Sequence, residues 1–139
     1  MNIVAASSRL SESKFIYLFM SKIIPLFRIF DYNKAVAFYI DWLGFEIIDK
    51  HSYGDNFPLY IQIRKGEIEI HLTEHHGDCS PGAKIMIENV DNLMDYHQAL
   101  SKKDYKYNKP GIEQDPWNKD MQYIEVIDPF GNVIVFRGI

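Results

Sequence analysis

The sequence predicts an α+β domain built from one strand–helix–three-strand unit used twice. Hydrophobic periodicity runs in that order through both halves of the chain. The landmarks of the two halves also recur at a fixed offset. Asp31 and Asp91, each ahead of a helical pattern, stand 60 positions apart, as do Phe45 and Tyr105, each just after one. A unit repeating at constant period indicates a duplicated module. The chain of 139 residues fits one domain. Either half alone is too short for its own core, so the two sheets are expected to share one structure.

In the first unit, Ile23 to Phe30 reads as a buried strand, with Pro25 near its start where a missing donor costs little. Asp31 is a helix cap. Val36, Tyr39, Ile40 and Leu43 follow at i, i+3, i+4 and i+7, giving one apolar face, and Gly44 ends the helix. Glu46 to Ser52, Leu59 to Arg64 and Glu67 to Glu74 read as strands, the last two joined tightly through Lys65-Gly66. Ile68, Ile70 and Leu72 alternate with Glu67, Glu69, His71 and Thr73, so one face is core and the other polar. In the second unit, Ala83 to Glu88 is a strand and Asp91 a second cap. Leu93, Met94, His97 and Leu100 form a second apolar helix face. Lys106 to Asn108 reads as a short strand, followed by a loop from Pro110 to Asn118. Met121 to Ile127 and Val133 to Arg137 are strands joined by Asp128-Pro129-Phe130-Gly131-Asn132, which is turn chemistry.

Residues 1–22 read as an extension outside the domain at 23–139, whose modules span about 23–78 and 83–139. The apolar run Phe15 to Met20 is far shorter than the ~20 residues of a membrane helix. It also lacks the flanks of a signal peptide. It is read either as a stretch upstream of a true start at Met20 or as an extra flanking helix. A formal net charge of −4 argues against nucleic acid, which needs a basic face, and permits a cationic ligand. One cysteine, Cys79, excludes an intramolecular disulfide and points to a reducing, cytoplasmic setting. No base is placed beside it to make a nucleophile.

Several motifs then converge on a family. Asp31, Phe38-Tyr39 and Leu43-Gly44-Phe45 resemble the opening of a vicinal oxygen chelate module. Asp128-Pro129-Phe130-Gly131-Asn132, with the alternating strand to Phe136, resembles the close of a second. Glu113-Gln114-Asp115-Pro116-Trp117 is similar to the Glu-Gln-Pro-Trp-Gly segment of bleomycin-resistance proteins, with Asp115 inserted and Asn118 in place of the glycine. Pro25, six residues before Asp31, matches the first-strand proline of antibiotic-sequestering members. His71 to Asp78 resembles a stretch of glyoxalase-superfamily proteins. The resemblance covers Ile23 to Ile139. It implies two βαβββ modules, each curling a mixed sheet around a cleft, and a homodimer with clefts near the subunit contact and exchange of an N-terminal arm.

The resemblance also locates four metal-ligand positions in the family's metalloenzymes. They fall here at Ile24, His71, Ile85 and Val135. A slip of one residue gives Pro25, Lys84, Met86, Ile134 or Phe136, none a useful ligand. A catalytic metal usually requires three protein ligands, so no metal and no other cofactor is expected. His71 is read as a polar cleft residue or a hydrogen-bonded sheet histidine. His75 and His76 are adjacent, point to opposite faces of a strand, and are read as surface residues. Glu67 and Glu69, if they face the cleft with His71, would form an acidic rim suited to a cation. Tyr53, Phe57 and Tyr60 surround the turn Gly54-Asp55-Asn56. Trp117, in a loop, could stack on a planar ligand or pack as a lid over a sheet edge, whereas Trp42 reads as core.

The expected function is therefore a metal-free cleft that binds a small, bleomycin-like molecule through Phe57, Tyr60, Glu69, His71 and Trp117. In its sharpest form this is antibiotic sequestration, without catalysis. The alternative is a lyase or isomerase using His71 with Glu69 or Glu74 as acid–base groups.

Overall fold

A computed structural model describes residues 20–139. The expected strand–helix–three-strand order is present twice, as two four-stranded mixed sheets. In the first, β1 (Leu26–Arg28) runs parallel to β4 (Ile68–Thr73). Antiparallel β3 (Tyr60–Lys65) and β2 (Glu46–His51) follow outward, giving the order β1-β4-β3-β2. In the second, β5 (Lys84–Val90) runs parallel to β8 (Val133–Gly138). β7 (Gln122–Ile127) and β6 (Glu113–Gln114) complete the order β5-β8-β7-β6. One core serves both modules, with Phe27, Ile63 and Ile70 from the first sheet joined by Ile124, Ile134 and Phe136 from the second. The N-terminal extension to residue 19, with its apolar run, lies outside the described residues.

The first helix starts as expected, with the Asp31 carboxylate accepting from the Lys34 amide at 2.9 Å. Its first turn, α1 (Tyr32–Ala35), is ordinary, but Val36–Trp42 continues with π-helical winding. The Leu43 amide accordingly reaches five residues back to the Phe38 carbonyl at 2.9 Å. Along this wider segment Phe38 and Trp42 are buried as well as Tyr39 and Leu43. Trp42 is core, as read: its ring stacks on Tyr105 at 4.8 Å, and its indole N–H donates to the Leu100 carbonyl at 3.2 Å. Gly44 ends the helix at φ +88°, a conformation that glycine adopts without strain.

The second helix, α2 (Leu93–Lys102), departs from expectation at its start. Asp91 does not cap it. Asn92 takes the cap position in a left-handed conformation and makes no side-chain cap bond. The Leu93 amide instead meets the carbonyl of Ile139, from the other end of the chain, at 3.4 Å. Met94 is about half exposed, and Tyr96 takes its place inward, packing edge-on against Phe136. The strand expected at 106–108 is a turn and loop, and pairing with β7 occurs later, at β6. Glu67 lies in the turn between β3 and β4 rather than within a strand.

The turn Asp128-Pro129-Phe130-Gly131-Asn132 locks the modules together. Asp128 is buried and accepts from the Tyr39 hydroxyl at 2.6 Å, and Asn132 donates to the Arg28 carbonyl at 2.8 Å. Among the described residues no helix is long and apolar enough to cross a membrane.

Candidate functional site

Side chains alternate along the first sheet. Phe27, Ile29, Ile61, Ile63, Ile70 and Leu72 enter the core. The opposite face therefore presents Leu26, Arg28, Tyr60, Gln62, Glu69, His71 and Thr73. On it, Tyr60, Glu69 and His71 come together, as the sequence suggested. The Tyr60 hydroxyl and His71 Nδ1 are 2.6 Å apart, and His71 Nε2 lies 2.9 Å from a Glu69 carboxylate oxygen. The other Glu69 oxygen accepts from Lys22.

These bonds fix the proton positions. The Lys22 ammonium, and next the His71 ring, hold the Glu69 carboxyl below the usual range, so it is ionised and can only accept. His71 Nε2 must then carry the hydrogen. In the neutral ring Nδ1 is left to accept from the Tyr60 hydroxyl. Partial burial, helped by Asp78, Cys79 and Glu69, raises the Tyr60 pKa, keeping that hydroxyl protonated at neutral pH. Both ring nitrogens of His71 are thus engaged, and the Tyr60 oxygen keeps lone-pair capacity to accept a further hydrogen bond.

Register corrects two of the four expected ligand positions. Ile24 precedes β1, and the residue paired with His71 is Leu26. Ile85 packs against the core, and the residue paired with Val135 is Met86. The positions that adjoin on the two outer faces are therefore Leu26 with His71 and Met86 with Val135. Leucine and valine have no donor atom and methionine only a soft thioether, so these residues do not fit a catalytic metal. Among the described residues no group of three or more His, Cys, Asp or Glu could hold one.

The acidic rim is also corrected. Glu67 is in a turn, Glu69 is paired with Lys22, and Arg28 stands on the same face with its guanidinium donating to the Thr73 carbonyl at 3.3 Å. The acidic charge of Glu69 on this face is therefore offset by cations. Lys22, which the sequence assigned to the extension, and Arg28 were not read as site residues; neither lies in a motif, and only β1–β4 pairing brings them here.

The remaining candidates lie apart from the trio. Glu74 accepts from the Leu59 amide at 3.0 Å and makes no contact with His71. Phe57 is exposed in the loop between β2 and β3. His75 meets Tyr53 edge-on at 6.2 Å, and His76 is exposed. Burial first of all pushes the Cys79 thiol up, away from nucleophilic character. Trp117 is 91% exposed, which rules out the lid reading.

The Trp117 loop is nevertheless held. Asp115, the residue inserted into the motif, accepts from the amides of Trp117 and Asn118 at 2.8 and 2.9 Å. Its other oxygen accepts from Arg137 Nε at 2.6 Å, and Arg137 also forks onto Glu88 at 2.8 and 2.9 Å. The Arg137 guanidinium keeps the Asp115 carboxyl below its usual range. Arg137 stands on the outer face of the second sheet beside Tyr123, so this bracket presents Trp117 at that sheet's edge. That outer face mixes the apolar Met86, Val133, Val135 and Ile127 with the Lys84–Glu125 ion pair at 3.3 Å.

A family model described as glyoxalase superfamily protein matches residues 9–138. Among solved structures, the chain is similar to a bleomycin resistance determinant encoded on the transposon Tn5. The TM-score is 0.64 at 16% identity, covering 86% of this chain and 98% of that one. It is also similar to a bleomycin-binding protein complexed with bleomycin, with a TM-score of 0.62 at 17% identity and coverage of 86% and 99%. An antibiotic-binding protein, TnmS3, from Streptomyces sp. CB03234 gives 0.61 at 20% identity and coverage of 86% and 97%. At these identities the likeness establishes the fold. No curated protein matches the sequence.

Proposed function

The chain belongs to the glyoxalase superfamily, and from that premise we propose that it binds a small molecule without a metal. The Tyr60–His71–Glu69 face forms the floor of the site, and Phe57 and Trp117 supply aromatic contacts. The observation that carries this reading is the engagement of both His71 nitrogens, beside ligand positions filled by Leu26, Met86 and Val135. Such a face recognises by hydrogen bonding and apolar contact. In its sharpest form the function is sequestration of a bleomycin-like antibiotic, which needs a tight cleft and no chemistry. The similar folds of a bleomycin-binding protein and an antibiotic-binding protein support it.

On the outer face of the second sheet, Met86 is more than half exposed in the single chain. We place the second wall of the cleft on another copy, so that the Tyr60–His71–Glu69 face of one subunit meets the outer face of the partner's second sheet in a cytoplasmic homodimer. Isothermal titration of metal-stripped protein with bleomycin, paired with light scattering for mass, tests this. One or two metal-independent sites per dimer are expected. No heat with drug, together with stoichiometric uptake of nickel or zinc, would overturn it.

The second reading is a lyase or isomerase in which Tyr60, His71 and Glu69 relay a proton. The contiguous bonds favour it, but the raised Tyr60 pKa makes that hydroxyl a poor acid at neutral pH.

A further inference from the structure

We propose that the protein carries a second site, for a small planar aromatic carboxylate, on its helical side. A cleft of about 660 Å³ opens between the first helix, the segment 105–110 and the turn after β7. That volume suits a compact organic ligand. The cleft shares no residue with the Tyr60–His71–Glu69 face or with Trp117, and the inference does not rest on the function proposed for them.

Two of its ten lining residues are aromatic. Tyr105 is held by stacking on Trp42 at an interplanar angle of 18°, and Tyr107 meets Tyr105 edge-on at 5.7 Å. The two rings make a corner into which a flat ring can pack. Ala37, a small residue on the π-helical segment, and Pro129 leave the opposite wall open. Rare π segments recur at functional sites.

The polar inventory sets the ligand's charge. The only carboxylate in the lining is Asp128, and it is spent. One oxygen accepts from the Tyr39 hydroxyl and the Asn132 side chain, the other from the amides of Phe130 and Asn132. The amide nitrogen of Asn108 is committed to the Ile127 carbonyl. Lys34 and Lys109 also line the cleft, and among the described residues neither ammonium has an ion-pair or hydrogen-bond partner. The hydroxyls of Tyr105 and Tyr107 likewise make no hydrogen bond among the described residues. Two uncommitted cations and two hydroxyl donors above an aromatic corner match a ring bearing a carboxylate. They do so on a chain whose net charge is −4, so the local field opposes the global one.

The test is a titration of the full-length protein with 2-naphthoate, followed by amide nitrogen–proton NMR. 2-Naphthylmethylammonium and inorganic phosphate serve as controls. Saturable shifts are expected at Lys34, Ala37, Tyr107 and Lys109 with naphthoate, without matching shifts at Tyr60 or His71. The double variant Lys34→Glu/Lys109→Glu should weaken binding by roughly tenfold or more. Tyr107→Ser, at a largely exposed position, should weaken it while leaving the spectrum folded. The proposal is overturned by shifts confined to the sheet face or by no saturation. Equal binding of the ammonium analogue, full competition by phosphate alone, or unchanged affinity in a folded double variant would also overturn it.

Discussion

Replacing Glu69 with glutamine tests the hydrogen-bond logic of the candidate site. The carboxylate serves two charge-assisted bonds, to His71 Nε2 at 2.9 Å and to Lys22. Glutamine keeps a neutral acceptor for His71 and loses the charge. A hydrogen bond to a charged group is worth about 1.5–3 kcal/mol and a neutral one about 0.5–1.5. The Lys22 side chain is 45% exposed, so its share is reduced by solvent screening. The net cost of Glu69→Gln at neutral pH is therefore about 1–2 kcal/mol, or roughly 4 °C in melting temperature per kcal/mol for a domain of this size. The pH dependence is the sharper signature. Glu69 has a folded pKa below its unfolded value. Its contribution is complete above the ordinary carboxylate range and is lost as pH falls through the depressed folded value. Urea unfolding of both proteins at neutral pH and at successively lower pH isolates this, because other carboxylates cancel in the difference. The gap should narrow towards the acid end. A gap that stays constant, or a variant as stable as the parent at neutral pH, would refute the assignment of an ionised Glu69 and with it the proton positions on His71.

Other perturbations probe separate parts of the molecule. A Cβ at Gly138 would lie 2.0 Å from the Val90 carbonyl oxygen, so Gly138→Ala should force β5 and β8 apart and cost about 1–3 kcal/mol or more; an unchanged urea midpoint would show that the strands yield freely. Trp117→Ala should leave stability within about 0.5 kcal/mol, because the ring is exposed, while weakening bleomycin binding in calorimetry; a folded variant that binds as before excludes a stacking role. Asp115→Ala removes the acceptor for two loop amides and for Arg137, and should appear in nitrogen relaxation as increased fast motion at Trp117 and Asn118. Rigid amides in that variant would mean that the bracket does not order the loop.

Where the sequence could be read, the signal was local. Alternation along residues 68–73 and the Asp31 cap depend on neighbours within a few positions, and both appear as expected. The misses have long-range causes. Asp91 reads as a cap by pattern, yet the carbonyl of Ile139 meets the helix N-terminus. Residues 106–108 follow the second helix where the repeat calls for a strand, but pairing with β7 occurs only at Glu113–Gln114. The ligand positions slipped because counting from Asp31 does not fix which residue of β1 stands beside His71. Pairing does, and it selects Leu26. Asp115 looked like an insertion that spoiled a motif. Its role becomes visible only when Arg137, 22 residues later, is folded against it.

The charge of the site makes the same point in electrostatic terms. A net charge of −4 permits a cationic ligand, but a summed charge says little about a field that decays over about 8 Å in physiological salt. On the polar face of the first sheet, Lys22 meets Glu69, and Arg64 lies 3.8 Å from Glu46. What that face can offer a ligand is direction: an oriented Tyr60 oxygen whose hydroxyl is tied to a histidine and whose histidine is tied to an ionised carboxylate. Such a chain holds its polar groups in place before a ligand arrives, which lowers the ordering cost of binding. Among the described residues the lysines of the helical-side cleft have no such partners. The two proposed sites therefore differ in what they offer a ligand, one fixed hydrogen bonds and the other the positive charge of Lys34 and Lys109.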